Sequence, residues 1–403
     1  MDRRSFLASG LAAAGVVAAP AAAAPLSKMK IRRIRYYEPR RPNPTFNQSD
    51  RIVTVETDAG ITGIGEGGSK DMLQQCAAML IGEDPSRIDH LWQMLYRGFF
   101  YPPGREKLHA LGALDLALWD IKGKALGVPV YELLGGLSRD YIECYSTGFP
   151  SKGSVKDTAR ACLEAGFRAY RTSLVGAVKG TLNARQVVEK TFEHCRELRE
   201  GIGKDGDWSI DFHTCLDLPD AVRLATLIES LNPLLVEDPL RSENPGALKN
   251  FRAQAKVPVA VGEQFGAKWD FNELIENRTI DYIRGTLPNV GGITEFMKIA
   301  ALCETHYVGI VPHFTGPISL AALVHVLAVF SGPVLMEITG QGPRPSPYLP
   351  QGAEFHSGKL WPRDAPGLGV AFDPKGAELI AEIGERSSRI RINRRLDGSI
   401  TNW

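Results

Sequence analysis

The sequence predicts an α/β fold, a closed barrel of parallel strands behind a smaller α+β unit. Three observations carry this. Eight short apolar runs recur after position 140 with amphipathic stretches between them, residues 28 to 135 pass from alternating to helical patterning, and 403 residues suffice for one large barrel or two cores. Lys plus Arg (47) balance Asp plus Glu (46) with no basic block, which argues against a nucleic-acid partner and for a small-molecule ligand.

Taken in order, the chain opens with Arg3-Arg4 and the small apolar run SGLAAAGVVAAPAAAA, closed by an Ala-x-Ala-like site near Ala24. This resembles a twin-arginine export signal over residues 1–25, which predicts a periplasmic protein with no stable membrane insertion once the signal is cleaved. KIRRIRYYE and RIVTVETDAGITGIGEGG alternate apolar and polar positions around Thr57-Asp58-Ala59-Gly60, as antiparallel strands do. DMLQQCAAMLIG, SRIDHLWQMLYRG and HALGALDLALWDIKGKALG follow with three-and-four spacing, and Gly127 with Pro129 stops the last helix. Residues 28–135 thus form the α+β unit. The polar, Pro-rich stretches 40–50 and 98–106 are candidate lids or plain surface loops.

From 136 to 350 the strand candidates are YIECYST, FRAYRTSL, WSIDFH, PLLVEDP, VPVAVGE, DYIRGT, YVGIVPH and PVLMEI. Strands alternating with helices imply right-handed crossovers, and eight of them imply closure. Residues 351–403, rich in Pro and Gly at their start, are expected to fold back onto the first unit. Six scattered cysteines show no metal-ligand spacing and read as free buried thiols.

Asp211, Glu237 and Glu263 each close one of three consecutive strand candidates, 26 residues apart. In a parallel barrel all carboxyl strand ends share one face, so these acids converge. Converging carboxylates repel unless a cation joins them, and an all-oxygen donor set suits a hard divalent ion, Mg²⁺ before Mn²⁺ or Ca²⁺. Asp211 and His213, two apart on a strand, would face the mouth together. His313 and Glu337 close later strands on the same face.

SIDFH, LLVEDP and VAVGEQF, with ALDLALWDIKGKALGVPVYELLGG and NVGGITE, resemble the enolase superfamily, mandelate racemase branch, over about residues 28–370. The resemblance implies a modified (β/α)7β barrel capped by a domain from both chain ends, a homo-oligomer, and Mg²⁺ held by Asp211, Glu237 and Glu263. It implies abstraction of the proton α to a carboxylate. The Asp-x-His of residues 211–213 is similar to that of acid-sugar dehydratases, which makes His213 the acid that protonates the leaving hydroxyl and His313 the base. Glu337 matches a substrate-carboxylate ligand, which as a donor must be protonated.

Two places depart from the family pattern. Arg284-Gly285-Thr286 stands where a Gln-Pro-Asp would support His313, and Arg171-Thr172-Ser173 where racemases carry Lys-x-Lys. A guanidinium is not a base, so Arg171 grips substrate or pairs with a carboxylate such as Glu237. The expected activity is Mg²⁺-dependent dehydration of an aldonate-type sugar acid to a 2-keto-3-deoxy acid. The alternatives are an α-hydroxy-acid racemase or epimerase, and a metal-containing binding protein without turnover.

Overall fold

The computed structural model describes residues 29–40, 51–101, 104–176, 182–387 and 391–402. The expected export signal, residues 1–25, and nearly all of the 40–50 loop lie outside them, as do Pro102 and Pro103 of the 98–106 stretch.

β1 (Ile31–Pro39), β2 (Ile52–Thr57) and β3 (Thr62–Glu66) form an antiparallel meander. Gly60, at φ 78°, makes the tight turn between β2 and β3. Three helices follow, α1 (Lys70–Leu80), α2 (Ile88–Arg97) and α3 (Arg105–Leu126), then the short α4 (Val130–Leu133). In α2 the fully covered residues Ile88, Leu91, Trp92 and Leu95 recur at helical spacing. α3 is buried on nearly all sides because it lies between β3 and the barrel, and it ends where Gly127 turns left-handed.

The barrel strands are β4 (Ile142–Thr147), β5 (Ala169–Ser173), β6 (Asp207–Asp211), β7 (Leu235–Glu237), β8 (Val259–Val261), β9 (Tyr282–Ile283), β10 (Gly309–Ile310) and β11 (Met336–Thr339). Between them run α5 (Val155–Glu164), α6 (Ala184–Ile202), α7 (Leu218–Ile228), α8 (Leu248–Gln254), α9 (Lys268–Glu276), α10 (Ile293–Thr305) and α11 (Pro317–Val329). Each strand pairs in parallel with the next, a parallel bridge joins Ile310 to Val334, and β11 returns to β4 with Met336 on Cys144 and Thr339 on Thr147. The sheet is closed, as a (β/α)7β barrel with the expected capping sheet. Closure removes the exposed edges that a long open sheet would present.

The segment after 350 divides. β12 (Glu354–His356) and β13 (Lys359–Trp361) form a hairpin that pairs antiparallel with the start of β4, whereas β14 (Ala377–Ile383) joins the first sheet beside β1. Assignment of the whole tail to the N-terminal unit is therefore corrected for residues 354–361. Leu360, fully buried against β4, gives the hairpin its reason to stay on the barrel. The cysteines are all free, and only Cys215 is partly exposed.

Acids from the capping unit reach into the barrel. Glu66 accepts hydrogen bonds from the backbone N–H groups of Ile318 and Ser319 (3.1 and 3.0 Å), so a capping-unit carboxylate sits at the start of α11. Asp115 does the same at α10 through Thr294 N (3.0 Å) and its hydroxyl. These contacts set the height of α10 and α11, between which β10 delivers His313.

Candidate active site

The carboxyl ends of the barrel strands bring the expected residues to one face. β6 stops at Asp211, β7 at Glu237, and Glu263 follows β8 by two residues. Asp211 and Glu237 are buried, and Glu263 keeps 11% of its side chain exposed. Such acids sit here because strand ends in a parallel barrel point their last side chains into a shared mouth.

Their contacts differ from the simplest expectation. Among the described residues, oxygens of Glu237, Asp238 and Glu263 lie within 4.8 Å of one another, whereas Asp211 is outside that group. The Asp211 carboxylate is bound instead by the Arg171 guanidinium and by the backbone N–H of His213 at 2.5 Å. Asp238 went unread because alternation assigns the residue after Glu237 to the opposite face. Its φ of 40° leaves the strand conformation and turns the side chain back into the cluster. The run LLVEDP contained this signal as an acid pair before proline.

His213 also departs from the strand. At φ 48°, with Thr214 at 57°, it turns out of β6 rather than continuing it, so its place at the mouth comes from a left-handed turn and not from strand alternation. Its ring is 67% exposed, with Nε2 3.9 Å from Glu263 Oε1. His313 approaches the other oxygen of the same carboxylate, Nε2 to Oε2 at 3.2 Å. Two imidazoles thus flank one acid. His313 Nδ1 donates to the Phe314 carbonyl at 2.8 Å, which assigns the proton to Nδ1 and leaves Nε2 facing the site. This backbone carbonyl does the orienting that an Asp at 286 would have done. Burial pushes the His313 pKa down, with Glu337 opposing and Arg284 assisting.

Arg284 is the residue missed outright. It is fully buried just past β9, where its Nε donates to Glu237 Oε1 at 2.8 Å and its Nη2 to Glu337. Nη1 reaches Tyr145 Oη (2.6 Å) and the carbonyls of Val311 and Pro312 (2.9 and 3.1 Å). The sequence signal was the Arg-Gly-Thr triplet itself, a charge where the strand pattern calls for an apolar or acidic residue. Its presence corrects the reading of Glu337. Burial alone pushes that carboxyl up, but Arg284, His313 and Arg171 together with the Thr147 hydroxyl reverse the effect, and it sits well below the usual carboxylate range. Glu337 is an ionised acceptor for Thr147, Arg284 and the Phe314 N–H, not a protonated donor. Arg171 likewise pairs with acids, Asp211 and Glu237 (3.7 Å to the latter), as one of its two expected roles required.

The cluster fits a divalent cation. Glu237 Oε2 and Asp238 Oδ2 are buried with no hydrogen-bond partner among the described residues, a costly state that a cation would relieve. Burial and then the Glu237 charge push Asp211 up to about 8 against the pull of Arg171, and the same two causes push Glu263 up to about 7. Asp238 is driven well above the carboxylate range, first by burial and next by Glu263 and Glu237. All donors are oxygen, the set preferred by Mg²⁺ and its hard relatives. Beside them a cavity of about 490 Å³ opens along β11, with Phe314, Thr315, Glu337, Thr339, Arg344 and Tyr348 in its wall.

Comparison with known proteins follows the same outline. Residues 154–376 match the family described as enolase C-terminal domain-like, and residues 43–135 match the mandelate racemase/muconate lactonizing enzyme N-terminal domain. A D-galactonate dehydratase of Xanthomonas euvesicatoria is 35% identical over 379 residues, covering 89% of this chain and 98% of that protein. The D-galactonate dehydratase of Ralstonia pickettii is 34% identical over 370 residues, 87% and 96% of the two chains. Among solved structures, a candidate galactarate dehydratase of Agrobacterium radiobacter, bound to sodium and L-malate, superposes with a TM-score of 0.77 at 30% identity. It covers 92% of this chain and 99% of its own. An enolase superfamily member from Salmonella Typhimurium, at 24% identity, covers 88% of this chain and 100% of its own with a TM-score of 0.81, a likeness of fold.

Proposed function

Because the chain belongs to the mandelate racemase/muconate lactonizing enzyme family of the enolase superfamily, we propose that this hydro-lyase acts by removing water from an aldonate-type sugar acid to give a 2-keto-3-deoxy acid. The relatives named for D-galactonate dehydration support the substrate class. The observation that carries the mechanism is the pair of imidazoles set against the two oxygens of Glu263.

His313, kept neutral by burial and with its proton on Nδ1, takes the α-proton of the substrate at Nε2. His213, whose ring is exposed at the mouth, gives a proton to the departing β-hydroxyl, which leaves as water. The resulting enol tautomerises to the keto acid. We assign a divalent metal, Mg²⁺ first, to Glu237 and Glu263, which cluster with Asp238, and to Asp211, which Arg171 holds next to Glu237. When bound, such an ion supplies the positive charge that a carboxylate needs as its α-proton departs. Arg284 holds Glu337 ionised and keeps Glu237 in place, and Arg171 restrains Asp211.

Residues 1–25 support export to the periplasm by the twin-arginine route, and family likeness supports a homo-oligomer. Among the described residues no helix is long and apolar enough to cross a membrane. A racemase reading lacks support at Arg171 and Ser173, neither of which can serve as the second base.

Incubation of the protein with Mg²⁺ and a panel of aldonates in D₂O tests the proposal. Wild type is expected to form a keto acid. His213→Asn should lose roughly 10²- to 10⁴-fold in dehydration yet still exchange the α-proton, whereas His313→Asn should lose both. Deuterium at C2 with substrate retained would mean an epimerase, and no change in any acid a binding protein. Either result overturns dehydration.

A further inference from the structure

We propose that Arg344 selects sugar acids that carry a second anionic group at the end remote from the reacting carboxylate. This rests on the sugar-acid reading above and narrows it. The cavity of about 490 Å³ is walled by Glu337, by Phe314, the residue after His313, and by the loop after β11 that carries Arg344. Its volume lies in the range of small-molecule sites and leaves room for a six-carbon chain beyond the reacting end. Hydroxyls of Thr315, Thr339 and Ser346 line it, donors and acceptors suited to a polyol.

The charges along this path are unequal. Arg284, bonded to Glu337, and Arg171 are both engaged by carboxylates, and α11, whose first residue borders the cavity, has its leading N–H groups taken by Glu66. Arg344 makes no ion pair or hydrogen bond among the described residues. It is the one cation among the described residues lining this cavity, exposed to solvent, and a carboxylate or phosphate is the group that its fork of donors matches. The loop that carries it is held. Pro343, Pro345 and Pro347 restrict its backbone, and Leu349 anchors it with no exposed surface. Ser346 and Leu349 exchange backbone hydrogen bonds at 3.1 and 3.0 Å, and Asp373 N donates to the Tyr348 carbonyl at 2.8 Å. Less ordering is then needed when an anion binds.

Calorimetry on the full-length protein in Mg²⁺ tests this with three ligands of one carbon skeleton: an aldonate, the aldarate with carboxylates at both ends, and the aldonate bearing a terminal phosphate. Wild type is expected to bind at least one dianion about tenfold more tightly than the aldonate. The better of the two identifies the second group. Arg344→Met should reduce that preference about tenfold while circular dichroism stays native, and Arg344→Lys should restore part of it. In turnover the loss should appear in KM rather than kcat. Equal binding of the three ligands, no binding of either dianion, or a preference that survives Arg344→Met would overturn the inference. Binding is read without turnover, so a lack of keto acid would count against dehydration and not against Arg344.

Discussion

Arg284 shows how much one side chain can decide. Its guanidinium contacts Glu237 and Glu337 in a region sealed from water, so it is simultaneously the counter-ion of a metal-site acid and the reason Glu337 is ionised. Removing one member of such a group leaves the others charged and unpaired. Arg284→Met is therefore expected to cost about 3–5 kcal/mol of stability, read by urea unfolding, with Arg284→Lys costing less because a charge remains. Asp238 and His213 teach a related point. Both act at the mouth through left-handed backbone at a strand end, which residue spacing alone does not reveal. The positions of Asp211, Glu237 and Glu263 were legible because strand ends repeat at a fixed interval, and so was the pairing of Arg171 with Glu237, but the part played by Arg284 was not, since it enters the same space from just past β9.

At the scale of elements, the helices flanking β10 are held by acids from the capping unit. Gly316 and Gly292 allow the approach: a Cβ would meet Glu66 at 2.3 Å in the first case and Asp115 at 2.5 Å in the second. Only glycine leaves that space. Glu66→Ala should strip the start of α11 of its acceptor and cost about 1–2 kcal/mol, measured as a fall in Tm. Because α11 follows the loop of His313, the same variant is expected to weaken turnover more than its stability loss explains. Helices α1 and α2 could be placed from periodicity alone, since each buries a stripe at three-and-four spacing, whereas α3 is covered on nearly all sides and only its end, at Gly127, was marked locally. β9 and β10 were overdrawn as full strands; they pair over two residues each, because the following residues leave the ladder to present Arg284 and His313.

For the whole molecule, buried titratable groups outside the mouth set how stability follows pH. Burial pushes His109 and His325 down to about 4 from the usual 6.5, and His325 accepts the Tyr131 N–H at Nδ1 (3.3 Å), which requires its neutral form. A depressed folded-state pKa stabilises above the unfolded value and loses that contribution as pH falls through the folded one. Asp115 has the opposite sign. Burial raises it to about 7, so its contribution is full below about 3.8 and fades as pH rises to 7. The two histidines give the stability curve a limb between pH 6.5 and 4 along which roughly 3 kcal/mol is lost per histidine as pH falls, while Asp115, Asp120 and the raised acids of the mouth pull the other way. His325→Gln should flatten that limb, and a limb of unchanged slope would exclude the residue as its source.

By itself the sequence determined the alternation that builds a parallel barrel, the interval that puts three acids at its mouth, and the family to which the chain belongs. These follow from local periodicity and strand length, which act between near neighbours in the chain. Tertiary structure alone decided that the tail divides between two sheets. It also set Arg284 beside Glu237 and Glu337, and Asp238 beside Glu263. Each of these depends on which distant residues share one small, water-poor volume, where Coulomb energies between groups far apart in sequence become as large as the cost of burying them.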